Sequence, residues 1–242
     1  MISPNPQTSL ANARKYFREH LKVGDYYKEG ESVEGEWFGE AAKRLNLKGK
    51  VKEEDFLSLC DGNNPETGKT LTARKNSTRV VDGKIEPNRR IFHDFVFRPP
   101  KSVSIVGMLE DPRIIALHKA AVRTALHELE KYAGARLRAK GMRDSDRRTS
   151  NIVAAIFEHD TSREQDPLIH THAVIFNATF EGAEDRWKAL QTFEMYKALP
   201  FADSVYTAEL TRELVKLGYE IKVTGKSWEI AGVSRELVER FS

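Results

Sequence analysis

The spacing of apolar residues predicts helices near the start of the chain. Ser9 precedes the segment ANARKYFREHL, and its hydroxyl is suited to cap a helix N-terminus. Apolar residues recur at helical spacing in GEAAKRLNL at 39–47 and in EEDFLSLC at 53–60, which indicates two further amphipathic helices. The early part of the chain is therefore expected to be helical.

The centre of the chain has the pattern of β-strands. In RRIFHDFVFRPP, Phe92, Asp94 and Val96 alternate with the residues between them, and a proline pair ends the segment. The segments NIVAAIFEH at 151–159 and LIHTHAVIFNATF at 168–180 predict two more strands, separated by the polar stretch DTSREQDP. We expect these strands to run antiparallel.

Two long helices are predicted, one after the strand in RRIFHDFVFRPP and one after the strand at 168–180. Asp111 and Pro112 suit a helix start, and one face then holds Ile114, Ile115, His118, Ala121, Val122, Ala125, Leu126, Leu129 and Tyr132. A second helix is predicted over much of 192–217, followed by a hairpin turning at Gly225-Lys226 and a short helix capped by Ser234. Long helices combined with antiparallel strands favour an α+β fold with helices on a central sheet.

Composition is typical of a globular protein and narrows the class of function. The chain has 242 residues, 40% hydrophobic and 31% charged, with no repeat or flexible linker, so we expect a single domain over 1–242. No apolar run reaches the roughly 18 residues of a membrane span, and the N-terminus lacks a secretory signal pattern. The single cysteine, Cys60, excludes a disulfide framework and Cys-rich zinc sites and favours a reducing, cytoplasmic location.

Three histidines form the strongest candidate site. His170 and His172 are two residues apart on a predicted strand, so their side chains point to the same face. His159 ends the preceding predicted strand, and a hairpin can bring it to the same place. Three imidazoles with open coordination positions are typical of a catalytic metal site. The alternative is that these are ordinary solvent-facing histidines.

A cluster of tyrosines near the N-terminus offers candidate nucleophiles. Tyr16 lies on the first predicted helix, and Tyr26 and Tyr27 follow ten residues later. Tyrosine is a poor nucleophile at neutral pH because its pKa is near 10. A metal ion that polarises a phosphate offsets this and favours a covalent phosphodiester. The alternative is that these rings only pack, for example against Trp37.

The order of these motifs resembles a known family. The N-terminal tyrosines, FHDFVFRPPKSVS, FEHDTSREQDPLIHTHAVIFN, EWFGEAAKRLNLKGKV and KLGYE are similar to the relaxase domain of MobF-type conjugative relaxases, within the HUH endonucleases. The resemblance implies a palm-like antiparallel sheet with a C-terminal helical lid. It also implies site- and strand-specific nicking and strand transfer at an origin of transfer (oriT) in bacterial conjugation, through a 5′-phosphotyrosyl intermediate.

The resemblance also assigns residues and partners. Tyr16 matches the first nucleophile, and His159, His170 and His172 match the metal triad. Asp94 matches an aspartate of the family. Its carboxylate could accept the tyrosine proton, but a carboxylate of ordinary pKa is a weak base for tyrosine, so the favoured role is to hold the N–H of a ligand histidine. Phe17 replaces the second tyrosine of the first pair, which leaves open whether Tyr26 or Tyr27 performs a second cleavage. The implied partners are single-stranded DNA with a hairpin at oriT, accessory relaxosome proteins and a C-terminal helicase domain in a longer bacterial protein. The implied ion is Mg or Mn, with Zn and Ni as alternatives.

Net charge is only +3, but the basic residues are clustered. Residues 72–101 carry eight basic side chains against three acidic ones, and residues 135–149 carry six against two. Both segments flank the motifs, as expected of a surface that follows a phosphate backbone. The candidate DNA contacts are Arg74, Lys101 and Arg163. The sequence TGKT at 67–70 is not a P-loop, because Asn63 occupies the required first glycine position.

Two other functions share some of these features. A rolling-circle replication initiator or an HUH transposase uses the same chemistry, but such proteins typically place the tyrosine after the histidine motif. A DNA-binding module without cleavage would recognise an origin hairpin and bind it independently of metal. The tyrosine that precedes an intact histidine triad favours the relaxase.

Overall fold

The computed structural model describes residues 1–16, 35–73, 77–87, 89–137, 145–161, 166–225 and 227–241. Within these ranges the chain forms a mixed α and β structure around one central sheet, which confirms the predicted α+β class. None of the described helices combines the length and apolar character that a bilayer crossing requires.

The described residues form the following strands and helices. The strands are β1 Ile2–Gln7, β2 Glu36–Phe38, β3 Thr78–Val81, β4 Lys84–Pro87, β5 Phe92–Phe97, β6 Gly134–Leu137, β7 Ser145–Arg148, β8 Ala154–Thr161, β9 Pro167–Phe176, β10 Thr179–Glu181, β11 Arg186–Lys188, β12 Leu190–Gln191, β13 Ile221–Thr224 and β14 Ser227–Ile230. The helices are α1 Leu10–Tyr16, α2 Glu40–Arg44, α3 Glu53–Asp61, α4 Lys101–Leu109, α5 Arg113–Glu130, α6 Phe193–Lys197, α7 Leu199–Lys216 and α8 Arg235–Arg240.

The central sheet has five antiparallel strands in the order β1-β5-β9-β8-β2. The three predicted strands, now β5, β8 and β9, are its inner members. The edge strand β1 was not predicted, because Pro4 and Pro6 make its sequence look irregular. Alternate residues of an edge strand direct their backbone N–H away from the sheet, so prolines two apart are tolerated there.

Helices cover both faces of the sheet, and each face has its own core. On one face, Phe95 and Phe97 of β5 pack with apolar residues of α4, α5 and α7. On the other, Phe92, Phe157 and Phe176 pack with residues of α1, α2 and α3. All six residues of β5 are buried as a result. Asp94 therefore lies inside a covered sheet and not on an exposed edge.

The two long helices lie where the sequence predicts them, with one interruption. The buried residues of α5 are mostly members of its predicted face, but Ile115 and Tyr132 are only partly buried. The predicted helix over 192–217 is divided into α6 and α7 at Ala198, and Pro200 stands in the first turn of α7. Proline lacks the N–H that a continuous helix would need there.

Smaller elements complete the chain. The segment predicted as one strand over 168–180 ends at Phe176, and β10 forms a separate hairpin with β11. The hairpin β13–β14 pairs Thr224 with Ser227, which confirms the predicted turn. Ser234 accepts a hydrogen bond from the N–H of Leu237 and caps α8. The helix α4 was not predicted, because residues 102–107 are all buried and their sequence has no clear amphipathic pattern.

Candidate active site

The three histidines lie together on the central sheet. His159 of β8 is the direct cross-strand partner of His170 on β9, and the pairing shifts just after it, between His159 and Thr161. His172 is two residues along β9 and points to the same face. The three ring centres are 5.0, 5.3 and 5.1 Å apart. The structure therefore brings the predicted triad together.

Tyr16 reaches this cluster from the helix α1. Ser9 caps α1 by accepting a hydrogen bond from the N–H of Asn12 at 3.3 Å, as predicted. At the other end of the helix, the Tyr16 hydroxyl donates to Oδ2 of Asp94 at 2.5 Å and lies 3.0 Å from Nδ1 of His172. Asp94 thus connects Tyr16 to His172, and these two residues are 156 positions apart in sequence.

Asp94 contacts both a histidine of the triad and the candidate nucleophile Tyr16. Its Oδ2 accepts from Nδ1 of His172 at 2.8 Å as well as from Tyr16. A carboxylate that accepts from Nδ1 fixes the tautomer, so the lone pair of His172 is on Nε2. The other oxygen, Oδ1, is buried and has no hydrogen-bond partner among the described residues. The same carboxylate can therefore orient the imidazole and take a proton from the tyrosine.

Burial controls the protonation of the site. Burial, together with the negative charge of Asp94 and the hydrogen bond to it, raises the pKa of Tyr16 far above its ordinary value. Burial also lowers the pKa of His170 to about 4, so this imidazole is neutral at physiological pH. Neutral imidazole is the form that binds metal, whereas Tyr16 needs a nearby acceptor and positive charge before it can act as a nucleophile.

The donor set fits a divalent metal ion. Nδ1 of His170 lies 2.8 Å from the carbonyl oxygen of Leu168, which leaves Nε2 with the lone pair, as in His172. The rings of His159 and His170 are stacked with only 17° between their planes. In the described parts of the chain, no three ligating side chains already gather their donor atoms around one point. Rotation of these rings about their side-chain bonds would be needed for them to bind one ion together.

A buried hydrogen-bond chain supports the histidine strand from behind. Thr171 points to the opposite face from His170 and His172, and its hydroxyl lies 2.9 Å from Nε2 of His118 on α5. Nδ1 of His118 lies 2.8 Å from the hydroxyl of Tyr206 on α7. All three side chains are at most 1% exposed. The sequence placed His118 on a buried helix face but gave no sign of this network.

A large cleft, with a volume of about 1120 Å³, opens at the start of β5. The histidines lie near the other end of that strand. Five basic and three aromatic side chains line the cleft, and no acidic residue does so in the described ranges: Arg89, Arg90, Arg136, Arg186, Lys188, Trp187, Phe193 and Tyr196. His93 also lines it and bonds the Tyr196 hydroxyl at 2.8 Å through Nδ1. Arg90 and Arg136 come from the two basic segments noted in the sequence, so the fold brings those segments together.

Of the remaining predicted residues, Lys101 is the one that the described ranges include. Lys101 begins α4, where burial lowers its pKa and the charge of Asp166 opposes that shift, and no bond to Tyr16 or the histidines is described for it. Tyr26, Tyr27, Arg74 and Arg163 lie outside the described residues. Sequence reasoning did not single out the aromatic residues of the cleft, because neither the short strand β11 nor the helix α6 carries a recognisable motif.

The chain is similar to known proteins over its whole length. The family model for the TrwC relaxase matches residues 10–242. The chain is 35% identical over 255 residues to the multifunctional conjugation protein TraI of Escherichia coli, and 34% identical to that of strain K12. Each match covers 100% of this chain but only 13% of the TraI protein, so the chain spans a small part of those relatives.

Solved structures of a related protein have the same fold. The conjugative relaxase TrwC in complex with oriT DNA, in a metal-bound structure, superposes with a TM-score of 0.80 at 33% identity, covering 100% of this chain and 79% of the chain in that structure. A copper-bound TrwC complex gives 0.81 at 34% identity with the same coverage. TrwC with a 27-mer DNA comprising the recognition hairpin and the cleavage site gives 0.80 at 32% identity, covering 100% and 78%. With its sheet, its tyrosine and its three adjacent histidines, this chain belongs to the TrwC relaxase family.

Proposed function

We propose that this chain nicks one DNA strand at an origin of transfer and then transfers that strand, through a covalent link between the DNA and a tyrosine. The reaction would require a divalent ion bound by histidines. The observation that carries the proposal is the contact of the Tyr16 hydroxyl with Asp94 and His172, beside His159 and His170. A buried tyrosine hydroxyl needs an acceptor in any case, but here the acceptor is a carboxylate that also bonds an imidazole of the histidine cluster. The match to TrwC relaxases supports the same activity.

The chemistry follows from these contacts. The oxygen of Tyr16 attacks the scissile phosphorus, the Tyr16 O–P bond forms, and the bond from phosphorus to the 3′ oxygen breaks. The tyrosine proton passes to Oδ2 of Asp94, and the released 3′ oxygen gains a proton to become a hydroxyl. The product is a 5′-phosphotyrosyl link and a free 3′-OH. Attack by a 3′-OH reverses the step and rejoins DNA, which is strand transfer.

His159, His170 and His172 are the proposed metal ligands. A divalent ion bound there would withdraw charge from the scissile phosphate and fix its position. Mg or Mn is the expected ion in cells, and Zn and Ni remain alternatives because imidazole also suits them. The hydrogen bond to Asp94 keeps His172 in the tautomer that such an ion requires.

The basic and aromatic cleft is the proposed binding site for single-stranded DNA. Bases stack on aromatic rings such as those of Trp187 and Phe193, while guanidinium groups such as that of Arg90 neutralise phosphates. We expect an adjacent hairpin at the origin to bind on the same side, near the basic segment 72–101. Lys101, Arg74 and Arg163 stay proposed phosphate contacts, and Tyr26 or Tyr27 is the candidate for a second cleavage.

The wider setting is also part of the proposal. Residues 1–242 would act as one relaxase domain of a longer bacterial protein with a helicase domain, together with accessory relaxosome proteins in the cytoplasm. The small share of TraI that the chain matches is consistent with this organisation. Conjugative transfer of a plasmid strand would be its role in the cell.

The experiment is a nicking assay with labelled single-stranded oligonucleotides that carry candidate transfer origins. The protein is incubated with Mg or Mn, and the products are separated under denaturing conditions. We expect the fragment 3′ of the nick to migrate with the protein, the other fragment to end in a 3′-OH, and chelator to prevent both. Metal-independent binding without nicking under any divalent ion would contradict the proposal and favour a non-cleaving DNA-binding module.

A further inference from the structure

An arginine lies on the same face of the sheet as the proposed active site. Asp94 and Arg98 are four residues apart along one extended segment, so their side chains project to the same side. The strands β5 and β9 are antiparallel, and Val96 pairs with His172. Two residues later in the sequence from Val96 and two residues earlier from His172, Arg98 therefore lies beside His170. Cross-strand neighbours on one face have Cβ atoms about 5 Å apart. Arg98 is therefore positioned next to a proposed metal ligand.

The backbone of Arg98 is held in place although its side chain is exposed. Its N–H donates to the carbonyl oxygen of Met1 at 3.0 Å, which continues the pairing of β5 with β1 by one residue. Pro99 follows, and a residue before proline is confined to extended conformations. Within the described ranges, no hydrogen bond or ion pair of the guanidinium is seen, so it is available for an external anion.

The charge of Arg98 acts on the reacting groups. Burial and Asp94 raise the pKa of Tyr16, and the positive charge of Arg98 opposes that rise. For His170, burial is the main cause of the lowered pKa and Arg98 adds to the lowering. The guanidinium therefore lies within electrostatic reach of Tyr16 and of His170. Sequence reasoning counted Arg98 only as one of the basic residues in 72–101.

We infer that Arg98 is a catalytic residue that binds a non-bridging oxygen of the scissile phosphate during attack by Tyr16. The inference rests on the proposed function. As the Tyr16 O–P bond forms and the bond to the 3′ oxygen breaks, the non-bridging oxygens gain negative charge. A guanidinium stays protonated and presents several N–H donors in a fixed plane, so it stabilises that charge without moving a proton. The same contact serves the reverse, rejoining step.

The first test separates catalysis from DNA binding. Single-turnover cleavage is measured at saturating oligonucleotide, using a sequence that the wild-type protein cleaves, and Kd for DNA is measured by fluorescence anisotropy. For Arg98→Gln we expect the saturated rate to fall about 100-fold or more, with Kd changed only a few-fold. Arg98→Lys should restore part of the rate, because it keeps the charge but loses the planar donors. Arg240→Gln, an exposed arginine on α8, is the matched control and should cleave normally.

The second test asks whether the arginine acts on the phosphate itself. A methylphosphonate at the scissile position removes one charged non-bridging oxygen. On one of its two diastereomers, Arg98→Gln should slow cleavage much less than it does on the natural phosphate, because the contact is already absent. The affinity for Mn²⁺, measured by calorimetry, should be unchanged, which excludes an effect through His170.

Three results would overturn the inference: wild-type cleavage by Arg98→Gln, an equal loss on phosphate and on both methylphosphonates, or a loss that follows Mn²⁺ affinity. Failure of the proposed function would look different, since the wild-type protein would then also leave the oligonucleotide uncut. Slow cleavage by Arg98→Gln, together with normal cleavage by the wild-type protein, supports both the proposed function and the role of Arg98.

Discussion

The hydroxyl of Tyr16 donates a hydrogen bond to Oδ2 of Asp94, and the two residues are separated by 78 positions in sequence. The contact joins the end of α1 to the second strand of the central sheet. Asp94 is only 3% exposed, so the bond is shielded from water and is stronger than a surface contact. It keeps the tyrosine oxygen beside the histidines and gives its proton an acceptor.

Replacing Asp94 tests both parts of that arrangement. Asp94→Asn keeps the shape of the side chain but removes its charge and its capacity to accept the tyrosine proton. We expect the saturated cleavage rate to fall about 100- to 10,000-fold, as for loss of a general base. Metal affinity should fall about 10- to 100-fold, because His172 loses its carboxylate partner. Single-turnover kinetics and calorimetry with Mn²⁺ measure the two effects.

Asp185→Asn provides the control for that variant. Asp185 lies in the turn between β10 and β11 with a φ of 47°, a conformation that asparagine also adopts readily. Its cleavage rate and Mn²⁺ affinity should match those of the wild-type protein. A wild-type rate for Asp94→Asn would show that the carboxylate takes no part in the reaction.

The cleft predicts a defined salt dependence of DNA binding. For single-stranded DNA, each phosphate that is neutralised contributes about 0.7 to the slope of log K against log salt. Arg90→Gln should weaken binding and reduce the magnitude of that slope by about 0.7. Fluorescence anisotropy between low and moderate salt measures it. Arg235→Gln, on the exposed face of α8, is the control and should leave the slope unchanged. An unchanged slope for Arg90→Gln would show that Arg90 does not contact a DNA phosphate.

Buried neutral histidines predict that the metal-free protein loses stability in acid. Burial, assisted by the charge of Arg90, lowers the pKa of His93 to about 4, against about 6.5 when unfolded. The unfolded chain therefore binds the proton more tightly, so stability is complete above about pH 6.5 and declines as pH falls toward 4. Each such histidine contributes about 1.4 kcal/mol per pH unit across that window. Urea unfolding at pH 7.5 and pH 5 measures the difference.

A pair of variants assigns part of that effect to His93. His93→Gln should reduce the loss of unfolding free energy between the two pH values, because it removes one titrating group. His127→Gln serves as the control, since His127 is on the exposed side of α5. An identical pH dependence in His93→Gln and the wild-type protein would show that His93 is not the group that responds.

Much of this site was readable in the sequence because it depends on local spacing. His170 and His172 share a face through strand alternation alone, and Asp94 lies on a segment with the same alternation. The register that pairs His159 with His170 follows from a hairpin between neighbouring strands. Tyr16 was connected to these residues only through the family resemblance, since no local pattern brings α1 to the sheet.

Other parts could not be predicted because they arise from tertiary packing. The edge strand β1 looks irregular in sequence, and its strand conformation depends on its pairing with β5. The cleft joins side chains from β6, β11 and α6, which are distant in sequence from the segment 89–93. The hydrogen bonds of His118 to Thr171 and Tyr206 connect three elements. Only the packing of those elements gives each ring nitrogen of the buried histidine a hydrogen-bond partner.

The most direct test of the account is the identity of the residue that becomes linked to DNA. The protein is incubated with a cleavable oligonucleotide and Mg or Mn, digested, and analysed by mass spectrometry of the peptides. We expect the nucleotide mass on the peptide that contains Tyr16, and we expect Tyr16→Phe to lose the adduct while still binding DNA. Tyr132→Phe, a partly buried tyrosine elsewhere, should form the adduct normally. An adduct that persists in Tyr16→Phe, or that maps to another residue, would contradict the central claim.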